Sequence, residues 1–382
     1  MDWSFPNIRH MAALVATARS GSVTRAARQI NLTQPALTQA IAGLERELDC
    51  TLFERAPDGM KPTEPALLLI ARAETALALI GSWRVTSTQL RAFLAVAGAG
   101  GYAGAAEETG LAAASLHRAV SDLTVALGQR LIEKRGRTIA LTPAGLRRAR
   151  AFGLARAELR SGLDEVARWQ GKAAGSVTIG AMPLSRSRWL PQVLLIFARA
   201  YPDVGVRVVE GSHSDLSPAL RDGEIDMLLG AVRDGPGVED LVQEAVFDDR
   251  PRLVCRTGHP LAKCCDPQEL AKYDWVMPGP DTPLRHYWQD MFAALGLDAP
   301  EVKITCGSIL TIRELLIASD MMSMASPAQL RVELQAGLLV AIEPPVPVMR
   351  RIGITTRIGW RPTEPQAAML DLLREKGRLD LS

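Results

Sequence analysis

Histidine and cysteine are the residues best equipped for acid–base, nucleophilic or metal chemistry, and here their spacing points to none of it. The five histidines (His10, His117, His213, His259, His286) are scattered, with no His-Glu-x-x-His pair to hold zinc. The five cysteines (Cys50, Cys255, Cys264, Cys265, Cys306) are odd in number and include no Cys-x-x-Cys pair. A disulfide framework and a zinc site are both disfavoured, and a reducing cytoplasm is expected. Buried or inert thiols are the default reading, a redox-sensing thiol the alternative. There is no Gly-x-Ser-x-Gly elbow and no phosphate-binding GxxxxGK[ST]. The stretch GAGGYAGAA imitates a dinucleotide fingerprint through Gly98, Gly100 and Ala103. It follows the helical pattern Leu90, Phe93, Leu94, Ala97 rather than a strand, so it fails on context. No catalytic residue, metal or cofactor is expected.

What remains is hydrogen-bonding chemistry. Gln34, Thr38 and Gln39 cluster on one short helical face, with Thr33 and Pro35 at its start. Gln can pair bidentately with adenine, and Thr can meet a base or a thymine methyl. Arg55 and Lys61, just beyond, suit phosphate. The bland alternative is a solvated helix face.

The elements that would position these side chains are legible. Met11, Leu14, Val15 and Ala18 form an apolar stripe at helical spacing, ended by Gly21. Ser22 is placed to cap a short helix, Val23–Gln29, whose Ala26-Ala27 pair allows close approach. Asn31-Leu32 makes a tight turn and Thr33 caps a third helix. Leu37, Ile41, Leu44 and Leu48 form its buried face; Gln34, Pro35, Thr38, Gln39 and Arg46 face outward. Pro35 in the first turn costs no helical hydrogen bond. Leu52–Arg55, Pro57-Asp58-Gly59 and Met60–Pro62 then read as strand, turn and strand. Helix, tight turn, polar-faced helix and wing make a helix-turn-helix.

The unit occurs twice. At an offset of 79 residues, without gaps, Ala13 recurs as Ala92, Gly21 as Gly100, and Ala26-Ala27 as Ala105-Ala106. Leu37 recurs as Leu116, Leu44 as Leu123, Leu52 as Leu131 and Thr63 as Thr142. Matched positions are mostly apolar or Gly, so a core and its turns are repeated. Two copies indicate a duplicated domain, not a solenoid.

The stretch GSVTRAARQINLTQPALTQAIAGLERELDCTLFER resembles the DNA-binding domain of LysR-type transcriptional regulators. The Ala-Ala pair, the Leu-Thr-Gln-Pro-Ala-Leu-Thr entry and the Leu-Glu-x-x-Leu-x-x-x-Leu-Phe-x-Arg exit carry the likeness. The second copy resembles the same domain with a degenerate third helix. It puts Ala112-Ala113-Ala114 where the first has Thr33-Gln34-Pro35, but keeps Ser115, His117 and Arg118 and carries Lys134, Arg135 and Arg137 around its wing. Family members normally carry one such domain, so the tandem is a departure.

Charge supports a division of labour. The whole chain has 44 basic and 42 acidic residues, net +2. By segment the net is +1 up to Arg84, +6 from Val85 to Lys172, and −5 thereafter. A basic part followed by an acidic half suits a polyanion binder joined to something else. No apolar run is long enough to span a membrane and the N-terminus lacks a leader pattern, so no membrane association is expected. Ala66–Ile80 reads as a helix joining the two heads. Ala144–Gln170 reads as a longer one with the stripe Leu146, Phe152, Leu159, Leu163, Val166. The resemblance implies that this second helix pairs with its twin in a dimer; packing within the same chain is the alternative.

From Ser176 strands and helices alternate, which implies α/β with a mostly parallel sheet. The resemblance continues through Gly175–Gly180, Pro191–Val193, Leu220–Asp226 and Gly258–Ala262. It implies two Rossmann-like lobes, as in periplasmic binding proteins, with a small-molecule effector between them. The expected fold is therefore two α-rich winged helix-turn-helix domains followed by a two-lobed α/β effector domain. The divisions are 1–65, a linker helix 66–87, 88–145, a linker or dimerisation helix 146–172, and 173–382. Within the last, lobe I takes about 173–249 and 361–382, and lobe II about 250–360. Ligands in open α/β sheets sit beyond the carboxyl ends of strands. That nominates Leu184 and Ser185 at the start of a helix Leu184–Ala200, then Ser212, His213, Arg233, Thr282 and Ser308, although a Ser before a helix is commonly just a cap. An anionic or polyhydroxylated metabolite fits such a helix start.

These features predict a cytoplasmic DNA-binding regulator sensing a small molecule. Its expected partners are double-stranded DNA, the effector, further copies of itself as a dimer or tetramer, and RNA polymerase if it activates. A solute-receptor-like ligand-binding protein and an architectural DNA binder without effector are the alternatives.

Overall fold

The computed structural model describes residues 5–57, 59–136, 138–172, 175–262 and 266–379. The chain divides into two compact units, the first taking the chain up to Ser176 and the second most of the remainder.

The first unit is a helical repeat. Its elements are α1 (Ile8–Ser20), α2 (Val23–Gln29), α3 (Gln34–Leu48), β1 (Phe53–Ala56), β2 (Gly59–Pro62) and α4 (Glu64–Ile80). Then come α5 (Ser87–Ala99), α6 (Tyr102–Thr109), α7 (Ala113–Leu127), β3 (Ile132–Arg135), β4 (Thr138–Leu141) and α8 (Pro143–Trp169). The caps explain the boundaries. Gly21 ends α1 in the left-handed region, Ser22 accepts from Arg25 N, and Thr33 accepts from Ala36 N. The left-handed turns at Asn31 and Asp49 recur at Gly110 and Gly128, where no Cβ opposes the conformation. Each wing is an antiparallel pair, Phe53–Ala56 on Gly59–Pro62 and Ile132–Arg135 on Thr138–Leu141.

One apolar core runs through both copies, from Leu14, Leu37 and Leu44 to Phe93, Leu116, Leu123 and Phe152. Phe93 meets Phe152 edge to face at 5.8 Å. α4 and α8 pack together in this core. The stripe residues Phe152, Leu159 and Val166 are therefore buried within the same chain; Leu146 stays exposed. Of the two readings of that stripe, the in-chain one is the observed packing. Arg72 on α4 reaches Glu158 (3.2 Å) and Glu165 (2.5 Å) on α8, with its side chain only 6% exposed. Burial opposes its charge, but the two carboxylates outweigh burial and raise its pKa.

The second unit has two lobes. Lobe I is a five-stranded sheet in the order β6-β5-β7-β14-β8: β5 (Ser176–Ala181), β6 (Gly205–Glu210), β7 (Met227–Ala231), β8 (Leu241–Asp249) and β14 (Arg350–Arg357). β5 is parallel to β7, and β14 is antiparallel to both β7 and β8. Lobe II contains β9 (Arg252–Arg256), β12 (Ser323–Ala325) and β13 (Leu339–Ile342), ordered β12-β9-β13. A parallel pair, β10 (Val276–Met277) and β11 (Ile304–Thr305), is joined to β12 by the Trp275–Met322 bridge. The sequence division assigned 350–360 to lobe II; β14 instead lies inside the lobe I sheet. Its alternating pattern fits either sheet, and only the pairing with β7 and β8 decides.

The helices are α9 (Trp189–Ala200), α10 (His213–Arg221), α11 (Pro267–Leu270), α12 (Pro283–Ala294), α13 (Ile309–Ala318), α14 (Arg331–Gln335) and α15 (Glu364–Leu379). Trp189 ties α9 to α15 through Leu373 O at 2.9 Å. Trp275, Trp288 and Phe292 pack edge to face at the centre of lobe II. The Leu220–Asp226 motif has a structural purpose. Asp226 accepts from Thr178 N at 2.7 Å and its own N–H donates to Thr178 O, locking the entry of β7 beside β5.

Candidate functional site

In the first head, α3 presents Gln34, Pro35, Thr38 and Gln39 to solvent, while Leu37, Ala40, Ile41 and Leu44 are buried beneath. Thr33 spends its hydroxyl on the cap, which leaves it a positioning group at the helix start. The Thr24 hydroxyl donates to Gln34 Oε1 at 3.2 Å and so orients that amide. Thr38 bonds back to Gln34 O at 3.0 Å, presenting its methyl outward. Arg55 and Lys61 are exposed on the wing. Met60 N donates to Gly21 O at 2.9 Å, which pins the wing to the α1–α2 turn. A Cβ on Gly59 would lie 2.2 Å from that same oxygen, so this docking requires glycine there. A groove between α3 and the wing is lined by Ser22, Arg25, Gln34, Thr38 and Arg55. Arg25 was missed from sequence, although its place in the first turn of α2 aims it here.

The second head repeats the frame with a different surface. Ser115, His117 and Arg118 are exposed on α7, and Arg135 is exposed on β3. Arg137 lies outside the described residues. The His117 ring packs 5.2 Å from Tyr102, tying α7 to α6. Ala112 stands at the cap of α7 with no side-chain bond, where the first head has Thr33.

The lobes of the second unit enclose a cavity of about 540 Å³, within the size range of small-molecule sites. Leu184, Ser212, His213, Arg233 and Thr282 line it; Ser185 and Ser308 do not. Two local structures explain the difference. The expected helix start at Leu184 is a run of turns from Pro183 to Arg188, and α9 begins only at Trp189. Ser185 is fully buried, with its hydroxyl on Met182 O (2.8 Å) and its N–H also on that oxygen. It has no donor left for an anion. Ser308 is the cap of α13, accepting from Thr311 N. Ser212 also caps, accepting from Asp215 N at 3.3 Å; its hydroxyl (2.5 Å) and its N–H (2.9 Å) donate to the Asp215 carboxylate, and these two bonds hold that carboxyl below its ordinary pKa. Thr282 gives its hydroxyl to Gly279 O at 2.7 Å.

Charge in the cavity is uneven. Among the described residues three arginines line it. Arg186 is neutralised by Glu210, and Arg350 by Asp249 at 2.7 Å. Among the described residues the Arg233 side chain has no ion-pair or hydrogen-bond partner, and its Nε is buried. Burial lowers its pKa. Gln243 grips its backbone on both sides, accepting from Arg233 N (3.0 Å) and donating to Arg233 O (2.7 Å), so the residue is fixed. Gly230 makes room for Met182 on the cavity wall, since a Cβ there would lie 1.8 Å from Met182 Cε. Sequence reasoning missed Arg186, the residue after the nominated Ser185, and also Arg350 and Gln329, which no local pattern connects with the cavity.

Two winged heads and a two-lobed ligand cavity on one polypeptide define a ligand-responsive DNA-binding regulator. The chain matches the lysR-family bacterial regulatory helix-turn-helix protein over 8–67 and again over 87–146, and the LysR substrate binding domain over 170–378. It belongs to the LysR family of transcriptional regulators, DNA-binding and non-enzymatic, with a C-terminal effector-binding domain. It is 31% identical to the HTH-type transcriptional regulator GalR of Pseudomonas putida, over 98% of both chains. It is 25% identical to the regulator PcaQ of Agrobacterium fabrum, over 76% of this chain and 95% of PcaQ. A full-length OxyR variant of Pseudomonas aeruginosa shares the fold, with a TM-score of 0.55 at 19% identity, covering 76% of this chain and 94% of OxyR. PcaQ and OxyR are nearly used up by the match, yet leave about a quarter of this chain uncovered, an extent comparable to one copy of the repeat.

Proposed function

We propose that the first head reads base edges through Gln34, Thr38 and Gln39, oriented by Thr33 and Pro35, with Arg55 and Lys61 on phosphates. The second head, through Ser115, His117, Arg118 and Arg135, anchors mainly to the backbone. Support comes from surface chemistry: the first offers bidentate amides, while the second offers three alanines at its helix start and a strongly basic flank.

The effector is a small anion, and the observation that carries this is Arg233, the lining arginine left without a counter-charge. A carboxylate or phosphate seated there would supply its missing partner. The protein acts in the cytoplasm and associates with further copies of itself as a dimer or tetramer. The buried part of the α8 stripe is occupied in-chain, so this association does not rest on it. Contact with RNA polymerase follows if the protein activates. The test is a thermal-shift screen of the full-length chain against small carboxylates, phosphates and matched neutral compounds. Stabilisation confined to anions is expected; stabilisation confined to neutral apolar compounds would refute it.

A further inference from the structure

The two heads are held by equivalent surfaces. α1 packs on α4 as its counterpart α5 packs on α8. Ser87, the first residue of α5, donates its hydroxyl to the carbonyl of Pro6, just before α1, at 2.7 Å. The starts of these counterpart helices thus meet. α4 and α8 run antiparallel: Arg148, early in α8, donates to Ile80 O at the end of α4 (3.3 Å), while Gly162, further along α8, lies against Leu69 and Arg72. In that register, residues 79 apart come level at Ala76 and Ala155, both fully buried. The wings lie at opposite ends of the pair, because each precedes the N-terminus of its own long helix. The arrangement has the pseudo-two-fold symmetry of a dimer, completed inside one chain.

The seam also discriminates. Arg72 is satisfied by Glu158 and Glu165. Were α4 to pair with α4 of another copy, Arg72 would face Leu79, the counterpart of Glu158, while the counterpart of Glu165, Thr86, lies beyond the end of α4. Were α8 to pair with α8, Glu158 and Glu165 would face Ala151. Either exchange leaves buried charge without a partner, which is strongly disfavoured. A Cβ at Gly162 would come within 3.0 Å of both Leu69 and Arg72, so the glycine admits the arginine stem; its counterpart is Trp83.

We propose that one copy of this chain is a complete two-headed DNA-reading unit, which occupies both halves of an asymmetric operator with α4 and α8 as its internal seam. This rests on the reading above that both heads touch DNA. A helix of 17 residues such as α4 spans about 25 Å. Heads at its two ends suit half-sites about one DNA turn apart, roughly 34–36 Å.

Two measurements on the full-length chain test it. Arg72→Glu and Glu165→Arg are made singly, together in one chain, and as a co-expressed mixture of the two single variants. Each single reversal should lower the melting temperature by several degrees, and the double variant should recover most of it. The mixture should recover nothing, because each seam is closed within its own chain; rescue in the mixture would show a seam between chains and overturn the proposal. The second measurement uses wild-type protein on a duplex selected from random DNA, with hydroxyl-radical footprinting and native mass for stoichiometry. Two protected segments per bound chain are expected, about one helical turn apart, and Arg118→Ala with Arg135→Ala should erase one of them. One protected segment per chain, unchanged by those substitutions, overturns the proposal while leaving the first head's reading intact. Failure of the DNA reading itself would show differently, as a selection that enriches no sequence.

Discussion

Arg233→Met should abolish the response to an anionic effector without harming the fold. Arg186 and Arg350 already have Glu210 and Asp249 as partners, so a bound anion's pairing falls to Arg233. Unit charges 4 Å apart at an effective dielectric of 20 attract by about 4 kcal/mol. Desolvation offsets part of that, and a hydrogen bond to a charged group nets about 1.5–3 kcal/mol. A loss of about 2–3 kcal/mol raises Kd about 30- to 150-fold. An anion at a hundred times its Kd stabilises wild type by about 2.7 kcal/mol, and a hundredfold weaker Kd reduces that to about 0.4 kcal/mol. Thermal melting of the full-length chain at fixed ligand concentration reads this directly. Met fills similar volume and removes a half-buried cation that has no partner, so the ligand-free variant should melt no lower than wild type. A purely structural arginine would behave otherwise. Arg350→Met supplies the contrast: Asp249, only 8% exposed, loses its cation, and the ligand-free protein should lose about 3–5 kcal/mol. The reasoning is wrong if Arg233→Met binds the same anion as tightly as wild type.

Gln34→Ala should cost about 1–3 kcal/mol on a selected duplex and little on random DNA, measured by fluorescence anisotropy at matched salt. Equal loss on both would mean that Gln34 reads no base. Arg118→Ala with Arg135→Ala should weaken selected and random duplexes about equally and reduce the salt slope by roughly one unit per lost phosphate contact; an unchanged slope would remove those side chains from the backbone. His10 has its pKa lowered from 6.5, chiefly by burial, with Glu47 opposing and Arg46 assisting. The folded state therefore binds the proton less readily than the unfolded one, and stability falls as pH drops below about 6.5. His10→Gln should flatten that part of the melting-temperature profile; an unaltered profile would place the acid sensitivity elsewhere.

Local chemistry was readable where local chemistry decides. Gly21, Ser22 and Thr33 are caps that work within four residues, and they set the end of α1 and the starts of α2 and α3. The 79-residue offset carried the same frame into α5, α6 and α7 without help from their weaker surface pattern. Cavity residues could be approached through strand ends, since Ser212, His213 and Arg233 follow β6 and β7. Ser185 escaped that logic because Pro183 opens a run of turns, and strand-to-helix spacing alone does not distinguish turns from a helix start. The partners Arg186–Glu210 and Arg350–Asp249 decide which cation is left over, and they join residues 24 and 101 apart. No periodicity encodes such pairs. The same holds for Arg72 with Glu158 and Glu165, 86 and 93 residues away: the apolar stripe on α8 called for a helical partner, and only buried charge picked α4.

Duplication within one chain frees the two heads to differ. In a symmetric dimer a substitution at the reading helix acts on both half-sites at once, so each head is held to the same compromise between sequence preference and backbone affinity. Here Thr33, Gln34 and Pro35 have become Ala112, Ala113 and Ala114, and the cap bond of α3 has no counterpart on α7. Loss of such a cap costs about 0.5–2 kcal/mol, and the cost is confined to the second head. That head retains its buried Leu116, Val120 and Leu123, with α7 packed on α5 and α5 packed on α8, which keeps it folded despite the weaker helix start. It follows that Gln34→Ala removes its contact once per two-headed unit. Per bound chain, the loss should match one bidentate contact, about 1–3 kcal/mol, and should map to one of that chain's two protected segments. A loss spread over both protected segments of a chain would mean that the first heads of two chains meet on the operator and that the second copy stands off the DNA.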